Sequence, residues 1–387
     1  GNWSNTATWD GGTLPTSADD VRPNGFTVTI DQNIAVISLR NDASAPAIAG
    51  GEFILTGNYT LTISGSLTCT SNLLNYNGTG TAYITKTTGS SAIVSSTTTN
   101  STSTVRHTGT GILIVDMVIN SMVNAETDRF NISVSGGGTL TCLQDVSKPN
   151  VGGATTSTSA ISVNTTVGAT LNLKGIIGTT STTLGSNELV RVVTCSTTAT
   201  FNIVGNVQGP NTNSSRTVYA MFVSGNNSII NITGNVTSCI AASGAFSNGI
   251  LLSGTGNVVT VTGNVTGGNT SNSASTTAAI IVTGANNTVN VAGIVTGGSQ
   301  NTVGISFSNI GTLTVNGTVT GGSATSAVQS SSAITFTLTG NVTGGTANAI
   351  NLFGGGTSSI TGNITGGGNV GVSVNTTTTI TGTITGG

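Results

Sequence analysis

Val and Ile alternate with Thr and Asn along most of this chain. In NVVTVTGNVTGG (257–268), Val259, Val261 and Val265 occupy every second position of the strand-like segments, and the positions between them hold Thr or Asn. A period of two sends successive side chains to opposite faces of a strand, so the apolar set faces a core and the Thr set faces water. Thr suits the outer positions, because its branched Cβ fits a pleated surface while its hydroxyl stays solvated. No stretch has the period of an amphipathic helix. No apolar run approaches the roughly 20 residues that a membrane-spanning helix needs.

The alternation recurs as a phrase. VTGNVTGG (261–268), LTGNVTGG (338–345), ITGNITGG (360–367) and ITGTITGG (380–387) are near copies. The central glycines mark a period, at Gly175, Gly205, Gly234, Gly263, Gly293, Gly317, Gly340, Gly362 and Gly382, with spacings of 30, 29, 29, 30, 24, 23, 22 and 20. Weaker copies continue upstream at Gly65, Lys86, Asp116 and Gln144. Residues four before, two before and two after each mark are apolar in nearly every copy. Leu61, Ile63 and Leu67 obey this rule, and so do Ile112, Ile114 and Val118. A second apolar strand precedes each phrase, as in GILLSG (249–254), AIIVTG (279–284) and GISFS (304–308).

Units of two or three short strands cannot bury their faces alone, but stacked units can. The expected fold is therefore all-β: a parallel β-solenoid, a right-handed β-helix of pectin-lyase-like type. One coil per mark gives about 13 coils, a rod of roughly 60 Å at about 4.8 Å per coil. Shrinking units imply a taper toward the C-terminus. Residues 1–60 read as an N-terminal cap or attachment segment with the first strands. Residues 61–387 read as the solenoid, with wider coils over 61–300 and narrower ones over 301–387. Gly at each mark is expected to permit a bend at a crowded corner, and Asn after it to form in-register ladders.

Composition and charge narrow the function. Only 5% of the 387 residues are charged and 4% aromatic, while 36% are apolar. No charged side chain follows Arg216, and the net charge is −2. A nucleic-acid partner needs a basic stripe, and nine scattered Lys and Arg do not make one. The opening residues carry no basic n-region and no signal h-region, which fits a processed chain or a fragment. The last residues are still repeat without a polar cap, so the expectation is that the chain has been cut there or that another chain covers the end.

Candidate chemistry concentrates in the wide half. Glycoside hydrolysis needs two carboxylates about 5 to 10 Å apart, and no carboxylate follows Glu188. Asp116, Glu126, Asp128, Asp145 and Glu188 are the acids available. The repeat register puts Asp116 and Asp145 near one corner of adjacent coils, roughly 5 Å apart, with Lys86 and Lys174 on flanking coils. Lys86, Asp116 and Gln144 break the Gly rule in succession, and local rule-breaking can mark function. Asp116 and Asp145 are thus the candidate catalytic pair, and Lys86, Asp116 and Gln144 the candidate binding set. An ion-paired ladder at a bend, or a misassigned register in weak repeats, is the preferred reading of them over a catalytic one. His107 sits beside Arg106 in a polar stretch and reads as a surface residue. Asp19–Asp20 reads as a turn cap rather than a metal site, and no metal or cofactor is expected. Cys69, Cys142, Cys195 and Cys239 have no paired spacing, which argues against disulfides, and Cys142 falls in an inward slot. Flat Thr arrays on solenoids can also bind ice; units of changing length argue against a regular array here.

GNWSNTATWDGG, PTSADDV and NGFTVTIDQNI, over about the first 60 residues, resemble the opening of β-helical modules in fibre and tailspike proteins of tailed phages, and of secreted bacterial adhesins. The resemblance implies a virion appendage in an extracellular setting, often trimeric. Its N-terminal segment would meet other virion proteins, and its surface a host glycan. No nucleic acid and no membrane insertion is expected. A non-enzymatic fibre or spike is the leading expectation, beside a bacterial adhesin and a tailspike polysaccharide depolymerase.

Overall fold

A computed structural model describes the chain except residues 43–49, 66, 70–71, 88–92, 96–102, 118, 121–129, 149–158, 166–167, 179–189, 210–216, 239–245, 269–276, 299–301, 324, 369–370, 376 and 386–387. It is an all-β parallel solenoid, with one short 3-10 turn at Thr6–Thr8. Strands follow each other in cycles of three, and each pairs in parallel with its counterpart one cycle away. The first face is a fourteen-stranded sheet from Thr27–Ile30 to Val372–Val374. The second is a fourteen-stranded sheet from Ile34–Val36 to Thr377–Thr381. The third position in the cycle holds two sheets in succession. A four-stranded sheet runs from Asp20–Val21 to Ile93–Ser95, and an eleven-stranded one from Ile119–Asn120 to Ile384–Thr385.

The alternating pattern explains the core. Val259, Val261 and Val265 are fully buried, and each stacks on its equivalents: Val259 between Ile230 and Val289, Val265 between Val236 and Val295. Burying each such side chain contributes about 1.5–3 kcal/mol, and no single coil could achieve it. Trp3 begins this core, buried at 1% exposure, with its ring 6.0 Å from Phe53 and edge-on to Trp9 at 4.7 Å.

Asn side chains bind coil to coil at the corner between the second and third faces. Asn206 Oδ1 accepts from the backbone N–H of Asn235, Asn235 Oδ1 from Asn264, and Asn264 Oδ1 from Ile294, at 2.8–3.0 Å. The same device resumes from Asn341 to Asn363 to Thr383. Glycine has a further reason at the marks beside the expected bend. A Cβ on Gly263 would fall within the van der Waals envelope of Gly234 O, 2.6 Å from Gly234 C and 2.7 Å from Asn235 Oδ1. Gly234, Gly293 and Gly317 meet the carbonyl of the preceding coil in the same way. At these marks the residue is glycine because backbone lies directly on backbone, and Gly340, Gly362 and Gly382 add a positive φ of 148–153° that also favours glycine.

Two readings of register change. ILIVD (112–116) buries Leu113 and Val115 and leaves Ile112 40% exposed. Ile112 and Ile114 therefore face outward, and Val118 lies outside the described residues. All four residues of ILIV are apolar, so alternation could not tell which parity faces in. The other concerns regularity. Partners on the second face lie 30 residues apart at Asn172–Asn202 and 20 apart at Ser358–Thr378, yet the register never breaks from Ile112 to Thr381. Length changes fall mainly between the third face and the next first face, over 179–189 in one coil and 297–301 in another. Changing unit length does not prevent a regular outward array.

Candidate functional site

The second and third faces meet at the corner predicted from sequence. Val115 pairs with Cys142, and Ile119 with Val146. Asp116 thus lies one step beyond a matched pair, and Asp145 one step before the next. Asp116 is level with Leu143, not with Gln144, so the register assumed from the marks was one residue off. Gln144 reaches back instead: its Nε2 donates to Asp116 Oδ1 at 2.8 Å. Asp145 projects its Oδ1 over Gly175, 2.8 Å from where a Cβ would stand. Lys86 pairs through its backbone with Ile63 on the second face, and Lys174 is exposed.

The ion pairs among the described residues lie elsewhere: Arg22 and Arg40 with Asp42, and Arg106 with Glu52. The expected ion-paired ladder at this corner is therefore replaced by a neutral amide donating to a carboxylate. Such a pair can present hydrogen-bonding groups to hydroxyls of a ligand. Glu126, Asp128, Glu188 and Cys239 lie outside the described residues.

A concave surface lies at the N-terminal end, and sequence reasoning did not assemble it. A cleft of about 580 Å³ is lined by Trp9, Asp10, Arg22, Asn24 and Phe26, among others. The segment Pro23-Asn24-Gly25-Phe26 turns tightly, with Asn24 and Gly25 at φ of 51° and 84° and the Phe26 N–H donating to Pro23 O at 2.9 Å. Asn and Gly are the residues that accept such angles. The turn lifts Phe26 into solvent at 69% exposure. Trp9 is held from behind by its Nε1–H, which donates to Trp3 O at 2.9 Å. Arg22 donates to Asp42, and Asp42 also receives a fork from Arg40 at 2.7 and 3.0 Å. Hydrogen bonds from Arg40 hold the Asp42 carboxyl below its usual range. The cleft thus combines aromatic surface with a charge-neutralised rim. The N-G dipeptide and the two Trp residues were its visible signals.

Asp19 behaves as expected of a turn cap. It accepts from the backbone N–H and hydroxyl of Thr16, and these bonds lower its pKa. Asp20 accepts from the Ser38 hydroxyl.

His107 contradicts the surface reading. It is fully buried on the first face, stacked edge-on to Tyr76 at 5.1 Å, with Nε2 3.1 Å from Thr139 O and 3.2 Å from Gly111 O. Two carbonyls at one nitrogen select the Nε2–H tautomer, and Nδ1 has no partner. Burial pushes the imidazole pKa down. It packs the core, and among the described residues it reaches no acid that could make it a catalytic base. Cys69, Cys142 and Cys195 are buried, and none forms a disulfide among the described residues. Among the described residues no group of His, Cys, Asp or Glu is placed to hold a metal ion, and no helix is long and apolar enough to cross a membrane.

Compared with known proteins, the chain matches no family model, no curated sequence and no solved structure.

Proposed function

We propose that the chain is a non-enzymatic structural and adhesive rod, a fibre or spike module of a phage-type virion appendage that meets the host cell surface. The observation that carries this reading is the pair of fourteen-stranded parallel sheets, continuous from Thr27 to Thr381. They set neutral Thr and Asn side chains in register along one long body. Contacts that are weak singly gain strength when many engage together. We read the coil as right-handed, of pectin-lyase-like type, with about 13 circuits; right-handed crossovers account for about 98% of parallel strand connections.

In this reading the aromatic N-terminal cleft seats another virion protein, and the chain works as a homotrimer. The corner of Lys86, Asp116, Gln144 and Asp145 offers mixed donors and acceptors to a host glycan. Gln144 occupies one oxygen of Asp116, which suits holding a hydroxyl better than sharing a hydrolytic reaction.

Immunogold labelling of particles and host cells with antibody against this chain tests the proposal. Label on a tail or spike supports it. Label on a bacterial surface selects the adhesin reading, and release of reducing sugar from host capsule by the purified chain selects the depolymerase. Light scattering that returns only a monomer removes the trimer.

A further inference from the structure

The outward side of the second face carries a second, independent signal. In its strands Gly311–Val315, Ile334–Thr339 and Gly356–Thr361 the inward parity holds the buried residues and the outward parity is exposed or half-buried; in Thr377–Thr381 the outward parity is exposed and the inward one half-buried. Thr312, Thr335, Thr357 and Thr377 pair in strict register as one outward column. Thr314, Thr337, Ser359 and Thr379 form a second column two residues along. Thr339, Thr361 and Thr381 add a third at the far edge. Upstream the second column continues through Asn290, Thr260 and Asn231.

Parallel strands stand about 4.8 Å apart, and residues i and i+2 about 6.6 Å apart. The side chains therefore sample a rectangular grid on a sheet. Both repeats lie near those of oxygen rows in hexagonal ice. Each Thr supplies a hydroxyl that can hydrogen-bond an ordered water and a methyl that can sit between waters. No ionic side chain follows Arg216 to impose a different hydration. The aromatic ring of these four strands, Phe336, points inward and is buried, so the surface offers no platform for stacking a sugar.

We propose that this face binds ice, by holding a layer of waters whose spacing is shared by the protein and the crystal. The inference is independent of the virion reading: it rests on the grid alone.

The test is the gap between melting and freezing points of a single ice crystal in a solution of the full chain, with fluorescently labelled protein followed into growing ice. A concentration-dependent gap, faceted crystals and labelled ice are expected. Thr314→Tyr with Thr337→Tyr should abolish the gap by breaking the grid. Thr320→Tyr, on the outward side of the third face, should leave it intact. Thr337→Ser, which removes one methyl and keeps the fold, should reduce it. A wild-type chain that is excluded from ice overturns the proposal. So does equal loss of the gap on changing Thr320, or capture by insoluble neutral polysaccharide in place of ice.

Discussion

Gly263→Ala probes the contact that sets the spacing between coils. The new methyl would stand 2.6 Å from Gly234 C and 2.7 Å from Asn235 Oδ1, and nearer still to Gly234 O. Comfortable carbon contacts are about 3.5–4.0 Å, so the two coils must part locally by about 1 Å. Three hydrogen bonds cross that gap: Gly263 N–H to Gly234 O at 3.2 Å, Asn264 N–H to Asn235 Oδ1 at 2.8 Å, and Val236 N–H to Asn264 O at 2.8 Å. Losing two at about 1 kcal/mol each, with modest overpacking, costs about 2–4 kcal/mol. The neighbouring coil cannot yield cheaply, because the obstacle is main chain. Solenoids open locally rather than all at once, so the assay is amide exchange at Val236–Thr237 and Val265–Thr266. Protection there should fall about 30- to 1,000-fold. Gly368→Ala is the control, since its nearest neighbour is Thr346 Cα at 3.4 Å, and it should change protection little. Equal, small effects of the two substitutions would refute the stacking argument.

Other expectations follow from the same contacts. His107 is held neutral, with its folded pKa below the unfolded value near 6.5. Its stabilisation is therefore full above pH 6.5 and is lost as the pH falls through the lowered folded value; melting from pH 8 to pH 5 should show this fall, and His107→Leu should flatten it. Burial raises the thiol pKa of Cys142 and Cys195, so both should resist alkylation until denaturant opens the chain; labelling at native pH would contradict their placement. Asp42→Asn removes the acceptor shared by Arg22 and Arg40 and should lower stability by about 1–2 kcal/mol. Added salt should shrink that difference, and the wild-type advantage should vanish as pH falls below the ordinary carboxylate range.

What could be read from the sequence depended on contrast between neighbours. Val259-Thr260-Val261 states its parity, and the structure buries the Val residues. ILIV at 112–115 states none, so the mark at Asp116 slid by one. His107 was hidden by Arg106 and Thr108, although it stands two residues after inward Val105 and pairs with buried Tyr76. Only the register of the first face reveals it as inward. The glycine marks were visible, but their cause was not, because a bend and a backbone contact leave the same letter. The N-terminal cleft gathers Trp9 and Asp10 with Arg22 and Phe26, and no periodicity links those positions. The outward grid was discounted on unit length, a property of the connections rather than of the sheet.

That last separation has a consequence for change over time. The step from second to third face is nearly constant, four residues from Ile203 to Val207, Ile232 to Val236 and Val261 to Val265 and three from Leu173 to Ile176, while the return to the first face varies far more. One flank of the body can therefore be rewritten by insertion or deletion without disturbing the register of the second face. Whole coils can likewise be duplicated without altering its pitch. Such a molecule can diversify what it displays along one margin and conserve a fixed grating on another, with the same short phrase serving both.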